Sequence, residues 1–104
     1  MTSTEIAQYL VANAEAFRTK WTAEMHDATT DEQWYYVMLE ELFEYGDAVM
    51  RTHEHKPELE LIQLGGIVLN VLRKYSPEEL DEAVKVIQAK HFKVNDGQDN
   101  SDGA

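Results

Sequence analysis

The segment from Pro57 to Lys74 constrains the fold of this chain more than any other. Its apolar residues leave little polar surface, which predicts a helix that is largely buried. Gly65 and Gly66 lower helix stability at its centre, so we expect a neighbouring helix to approach closely there. The apolar residues of the segment are Leu59, Leu61, Ile62, Leu64, Ile67, Val68, Leu69, Val71 and Leu72.

Capping signals predict where the other helices begin. A hydroxyl residue followed three positions later by Glu is typical of a helix start. Such pairs are Thr2 with Glu5, Thr29 with Glu32, and Ser76 with Glu79, and Pro77 reinforces the last of them. We therefore predict an all-α, four-helix bundle with helices at about 3–26, 31–54, 57–74 and 77–93.

Length and composition indicate one soluble domain. The 104 residues suit a single helical domain over 1–94, followed by a polar, disordered tail at 95–104. The chain has no cysteine and its start lacks a basic segment before an apolar core, so we expect a cytoplasmic protein. The longest apolar stretch, 67–72, is far below the roughly 20 residues that cross a bilayer.

The charge of the chain limits its partners. With 20 acidic and 9 basic residues the formal net charge is −11, which opposes direct binding to a nucleic acid. A phosphate-bearing ligand would need a divalent cation held by carboxylates. The alternative is that the acidic surface attracts a basic protein.

The first helix carries the usual apolar stripe of a helix packed on a core. Its members are Ile6, Tyr9, Leu10, Phe17 and Trp21. Because the domain is small and its third helix is almost wholly apolar, we expect that helix to be covered in part by another subunit. The sequence thus favours a homodimer or homotetramer.

Acidic residues are concentrated on the second predicted helix. Glu40, Glu41, Glu44 and Asp47 lie within three turns, and helical periodicity turns Glu41 and Glu44 toward the interior. Taken alone, such a cluster is more typical of a solvated face.

Glu60 on the third helix changes that interpretation. It falls in the same angular sector as Leu64 and Ile67, where a carboxylate is costly unless it is paired, protonated or bound to a metal. Glu41 and Glu44 can meet it from the second helix, and their mutual repulsion favours a cation. Oxygen ligands suit Mg²⁺ or Mn²⁺, and Gln63, one turn later, can add a carbonyl oxygen.

These residues resemble the motifs of a known family. The segment Glu40-Glu41-Leu42-Phe43-Glu44, 15 further residues, and then Glu60-Leu61-Ile62-Gln63 is similar to the EExxE and ExxD motifs of MazG-like all-α nucleotide pyrophosphohydrolases. The resemblance runs from about residue 34 to residue 93. The family usually has Asp where this chain has Gln63, and the neutral amide would weaken metal binding.

The resemblance implies a metal-dependent hydrolase that converts a nucleoside triphosphate to a monophosphate and pyrophosphate. It implies that Glu41, Glu44, Glu60 and Gln63 bind magnesium, and that Glu40 and Glu41 act in catalysis. Lys90 and Lys93 are candidates for phosphate binding, although a solvated helix face is the simpler interpretation. Trp34 or Phe17 can stack on a base, although core packing is the simpler interpretation for each.

Two other interpretations stay open from the sequence. Gln63 fits a catalytically inactive MazG-like protein, and the charge fits an acidic helical inhibitor of a basic partner. His53-Glu54-His55 looks like a metal signature, but residues two apart point in different directions on a helix. We interpret it as a solvated turn.

Overall fold

The computed structural model describes residues 1–20, 22–50 and 56–92. No strand is present in these ranges, and five helices cover most of them, which confirms the all-α prediction. The helices are α1 (Ser3–Lys20), α2 (Ala23–Ala28), α3 (Asp31–Val49), α4 (Pro57–Leu72) and α5 (Pro77–His91). Contacts divide the chain into two compact units, Met1–Lys74 and Tyr75–Ala104. One domain over 1–94 stays a prediction.

Two of the three expected capping boxes are present. Thr2 Oγ1 accepts from Glu5 N at 3.1 Å while Thr2 N donates to Glu5 Oε1 at 2.6 Å. Ser76 and Glu79 exchange the same pair of bonds at 3.1 and 2.8 Å. Helix α4 begins at Pro57 as predicted, without a side-chain cap from the residue before it.

The third capping box lies one residue beyond the predicted position. Thr30 caps α3 and exchanges hydrogen bonds with Gln33, so the predicted pair of Thr29 and Glu32 is wrong. Thr29 instead ends α2, where its hydroxyl donates to Met25 O at 2.8 Å. Thr29 and Thr30 are each followed three residues later by a side chain that can complete a capping box. Which of them caps α3 is determined only by where α2 ends.

The first predicted helix, 3–26, is two helices in the structure. Thr22 has an extended backbone with ψ of 161°, and its side chain accepts from Met25 N, so a short helix begins immediately after it. This break was missed because Thr22 has no Glu three residues later. Trp21, assigned to the apolar stripe, lies outside the described residues. The three later helices end before their predicted limits, at Val49, Leu72 and His91.

Helix α4 packs against both α1 and α3. A Cβ atom added at Gly65 would lie 2.7 Å from Leu10 Cδ2, and one at Gly66 would lie 2.5 Å from Asn13 Nδ2 and 3.3 Å from the backbone N of Ala14. The predicted close approach at the two glycines is therefore confirmed, and α1 is the helix that makes it.

Polar side chains fix this crossing of α1 and α4. Asn70, which is 6% exposed, donates through Nδ2 to Ala14 O at 3.1 Å and accepts from Arg73 Nε at 2.9 Å. Arg73 also forms an ion pair with Glu15 of α1 at 2.6 Å. Because a buried amide without partners is costly, these bonds favour one relative placement of the two helices.

The prediction that α4 is largely buried is wrong for the single chain. Its buried residues are Glu60, Gly66 and Asn70, whereas Leu61 is 46% exposed and Leu59 is 42% exposed. In α1, Ile6 and Tyr9 of the predicted stripe are also exposed. The buried hydrophobic residues of the described part are both alanines, so much of the apolar surface of the helices is uncovered.

A helix that crosses a membrane must be both long and apolar. Within 1–20, 22–50 and 56–92, none has both the length and the apolar character needed to cross a bilayer.

Candidate metal centre

Glu60 is the largest fully buried side chain of the described residues. It is 0% exposed, which confirms the prediction that its carboxylate faces the interior. The residue lies in the first turn of α4, where the positive end of the helix dipole favours a negative charge. That effect is worth at most about 2 kcal/mol, whereas an ion without compensation costs several kcal/mol to bury. Further partners are therefore required.

Two of these partners come from α3. Glu41 and Glu44 are three residues apart, so they share one face of the helix, and both are half-buried. One oxygen from each of Glu41, Glu44 and Glu60 can be chosen so that the three atoms lie within 4.8 Å of one another. Opposite oxygen ligands of an octahedral Mg²⁺ are separated by roughly 4.2 Å, twice the usual ligand distance. The three carboxylates could therefore hold a divalent cation after a small contraction.

Within the cluster, the clearest electrostatic effect is on the pKa of Glu41. Burial raises the pKa of its carboxyl group to about 7, and repulsion from Glu44, Glu60 and Glu40 adds to the effect. A hydrogen bond between the carboxyl groups of Glu41 and Glu60 acts in the same direction. The three acids therefore relieve part of their repulsion by retaining a proton close to neutral pH.

Gln63 lies one turn after Glu60 and contacts the same two carboxylates. In the amide orientation that satisfies its neighbours, its nitrogen donates to Glu60 Oε1 and to Glu41 Oε1, both at 3.2 Å. The sequence assigned Gln63 a carbonyl oxygen directed at a metal. With the amide in this orientation its nitrogen faces the carboxylates, so metal ligation would require the amide to turn over.

A cavity of about 350 Å³ adjoins the cluster within the Met1–Lys74 unit. Glu41 and Gln63 belong to both its lining and the carboxylate cluster. Most of the remaining lining is apolar or aromatic, and it includes Trp34 and Phe17, the two residues proposed from the sequence for base stacking. The lining residues are Phe17, Met25, His26, Thr29, Trp34, Val37, Glu41, Gln63, Ile67 and Asn70.

His26 in this cavity was missed by the sequence analysis. Its ring centroid lies 5.3 Å from that of Trp34, with an angle of 32° between the planes. Its two ring nitrogens are buried and have no hydrogen-bond partner in the described part of the chain. Burial and, secondarily, the charge of Arg18 lower the pKa of His26 below its ordinary value. No motif marked this residue, because its position depends on the break before α2.

No described contact brings the remaining predicted site residues to the cluster. Glu40 is exposed on α3, and its charge contributes to the raised pKa of Glu41. Lys90 is exposed on α5, in the Tyr75–Ala104 unit. Lys93 and the segment His53-Glu54-His55 lie outside the described residues, so their predicted roles stay predictions.

The fold and the cluster define an all-helical protein with a candidate cation site made of three carboxylates. Comparisons with protein-family models, with curated proteins and with solved structures gave no match. The resemblance to the MazG-like family therefore rests on the motifs alone.

Proposed function

We propose that this protein hydrolyses nucleoside triphosphates to a monophosphate and pyrophosphate, with a divalent cation bound by Glu41, Glu44 and Glu60. The observation that carries the proposal is the meeting of three glutamates from α3 and α4 around the fully buried Glu60, beside a cavity. The similarity of the same residues to the MazG-like motifs supplies the reaction. Sanitising or adjusting a nucleotide pool is the role that this similarity suggests.

Charge explains why the reaction would need a cation. The chain has a net charge of −11, and a triphosphate would be repelled by it. Mg²⁺ or Mn²⁺ suits a set of oxygen ligands, and such an ion, when bound, screens the phosphates and lowers the pKa of the attacking water. Gln63 could contribute its carbonyl oxygen if its amide turned over.

The reaction itself is a displacement at phosphorus. The oxygen of a water attacks a phosphorus atom, the bond to the pyrophosphate oxygen breaks, and the water loses a proton. The exposed Glu40 and an oxygen of Glu41 that does not bind the cation can orient the attacking water, whose proton passes to the surrounding solvent. Trp34 and Phe17 provide aromatic surface for the nucleoside end. This placement of the substrate does not require a contact with Lys90 or Lys93.

A release assay tests the proposal. Purified protein is incubated with a panel of nucleoside triphosphates and Mg²⁺, and pyrophosphate is measured for the wild type, Glu60→Gln and Glu58→Gln. Glu58 is the matched control because it lies on the same first turn of α4 and is exposed. We expect release from the wild type and Glu58→Gln, and at least a hundredfold less from Glu60→Gln, as removal of a catalytic electrostatic group commonly causes.

Three results would contradict the proposal in different ways. If no pyrophosphate is released and Mg²⁺ does not change the thermal stability, both the enzymatic activity and the metal site are excluded. Stabilisation by Mg²⁺ without release would instead support an inactive MazG-like protein, the alternative that the donor orientation of Gln63 favours. Capture of a basic protein would support the acidic binding module, although that function leaves the buried Glu60 unexplained.

Self-association forms part of the proposal, and α3 is the helix that best supports it. Leu42, Phe43, Val49 and Met50 are 47–72% exposed and share one side of this helix with Gly46. A Cβ atom at Gly46 would have no described atom within 4 Å, although glycine costs about 1 kcal/mol in a helix interior. A second copy packed closely against this face would explain both features. A homodimer is the simplest such assembly, and a homotetramer is the other.

A further inference from the structure

His26 is a partly exposed residue whose two ring nitrogens are buried, and the proposed reaction does not use it. Both ring nitrogens are out of contact with solvent and lack hydrogen-bond partners in the described part of the chain. Leaving a buried donor or acceptor without a partner costs about 1–3 kcal/mol. A polar group of this kind in a cavity wall is available for hydrogen bonding to a ligand that enters the cavity.

Three other polar side chains of the cavity, those of Thr29, Asn70 and Gln63, are engaged within the protein. The Thr29 hydroxyl donates to Met25 O, and the Asn70 amide donates to Ala14 O. In the amide orientation that satisfies its neighbours, Gln63 donates to the carboxylates of Glu41 and Glu60. His26 therefore differs from these residues because neither of its polar atoms is committed to a described residue.

The protonation state of His26 determines what it can bind. The pKa of His26 is lowered mainly by burial, then by the charge of Arg18 and weakly by Arg73, while Asp27 opposes them. At neutral pH the ring is therefore predominantly uncharged, with one nitrogen as donor and the other as acceptor. An uncharged ring of this kind suits a neutral polar group better than a phosphate.

The shape and lining of the cavity restrict the ligand further. The rings of His26 and Trp34 lie against each other, and Phe17, Met25 and Ile67 provide apolar walls. A volume of about 350 Å³ is at the lower end of the range of small-molecule sites. A flat, uncharged heterocycle with polar atoms on its edge matches both the walls and the imidazole.

We infer that the cavity binds the nucleobase of the substrate and that His26 recognises its edge by hydrogen bonding. This inference rests on the proposed function for the identity of the ligand. Glu41 and Gln63 join the cavity to the carboxylate cluster, so a ligand with its base beside His26 can direct its phosphates toward Glu41, Glu44 and Glu60. His26 is thus assigned to specificity rather than to the displacement at phosphorus.

The test measures binding without metal, so that it does not depend on hydrolysis. Adenosine, guanosine, cytidine, uridine and thymidine are titrated into the protein in the presence of a chelator, with ribose 5-phosphate as the ligand without a base. Affinity is taken from calorimetry, and the ring nitrogens of the histidines are followed by nitrogen-15 magnetic resonance. The variants are His26→Phe, His26→Gln and, as an exposed control, His91→Phe.

We expect at least one nucleoside to bind and to shift the ring-nitrogen signals of His26, whereas ribose 5-phosphate leaves them unchanged. His26→Phe should weaken that binding about tenfold, the effect of losing a hydrogen bond of roughly 1.4 kcal/mol. His26→Gln, which keeps a donor and an acceptor, should weaken it less, and His91→Phe should not change it. Circular dichroism verifies that each variant is folded.

Other outcomes separate this inference from the proposed function. If no nucleoside binds more tightly than ribose 5-phosphate, or if folded His26→Phe and His26→Gln bind as tightly as the wild type, the inference is overturned. If nucleosides bind through His26 but no triphosphate is hydrolysed, the inference stands and the proposed reaction fails.

Discussion

Glu41 of α3 and Glu60 of α4 share a hydrogen bond between their carboxyl groups. Such a bond requires a proton, and burial, followed by repulsion from the neighbouring carboxylates, raises the pKa of Glu41 to about 7. A divalent cation bound at these oxygens would compete with a proton on Glu41.

The first prediction concerns pH and the protein without metal. Between the ordinary pKa of 4.5 and about 7, the folded protein keeps a proton on Glu41 that the unfolded chain has lost. The free energy of unfolding should therefore fall as the pH rises through this window. Urea titrations at pH 5, 6, 7 and 8 measure it. Glu41→Gln should flatten the decline, while the exposed Glu40→Gln should largely retain it; equal slopes in all three proteins would contradict the assignment.

The second prediction concerns the cation. Since Mg²⁺ must displace the proton of Glu41, its affinity should increase from pH 6 to pH 8. At a concentration one hundred times its Kd, Mg²⁺ should add about 2.7 kcal/mol to the free energy of unfolding. Chelation should reverse this effect, and Glu60→Gln should abolish it.

Substitution of Gln63 provides a matched comparison at the same site. Gln63→Asp replaces a neutral donor with a fourth carboxylate, so the protein without metal should become less stable and Mg²⁺ should bind more tightly. The exposed Gln88→Asp on α5 is the control. Thermal unfolding with and without Mg²⁺ measures both effects, and equal responses of the two variants would exclude a role for Gln63 at the metal.

The third prediction contrasts the two glycines of α4. Gly66→Ala places a methyl group against Asn13 and the backbone N of Ala14, whereas Gly65→Ala meets the flexible end of the Leu10 side chain. Overpacking of this kind commonly costs about 1–3 kcal/mol, and backbone can yield less than a side chain. Chemical denaturation should show the greater loss of stability for Gly66→Ala. A reversed order would mean that α1 and α4 do not cross as described.

The fourth prediction concerns self-association through α3. Phe43 is 65% exposed on the face that contains Gly46, so Phe43→Glu would place a charge between the two copies. Light scattering should show a shift toward the monomer. Val11→Glu on α1, where the native side chain is 46% exposed, is the control and should leave the mass unchanged. Phe43→Ser serves as a milder variant if the charge prevents folding, and an unchanged mass for both Phe43 variants would exclude this face.

The sequence by itself determined the features that depend on neighbouring residues. The capping boxes at Thr2 and Ser76 and the start of α4 at Pro57 were predictable, because their bonds and steric effects act within three residues. Helical periodicity was sufficient to predict that Glu60 faces the interior. The low helix propensity of glycine was sufficient to predict a close approach of another helix at Gly65 and Gly66.

Only the tertiary structure decided the separation and exposure of groups on different helices. The distances among the three glutamates and the pKa of Glu41 depend on how α3 lies against α4, and the position of His26 depends on a break that Thr22 makes after α1. The exposed leucines of α4 show the same limit, since periodicity indicates which residues share a face but not what covers it. Electrostatic and packing energies vary with distances through space, and those distances are fixed only when the helices pack.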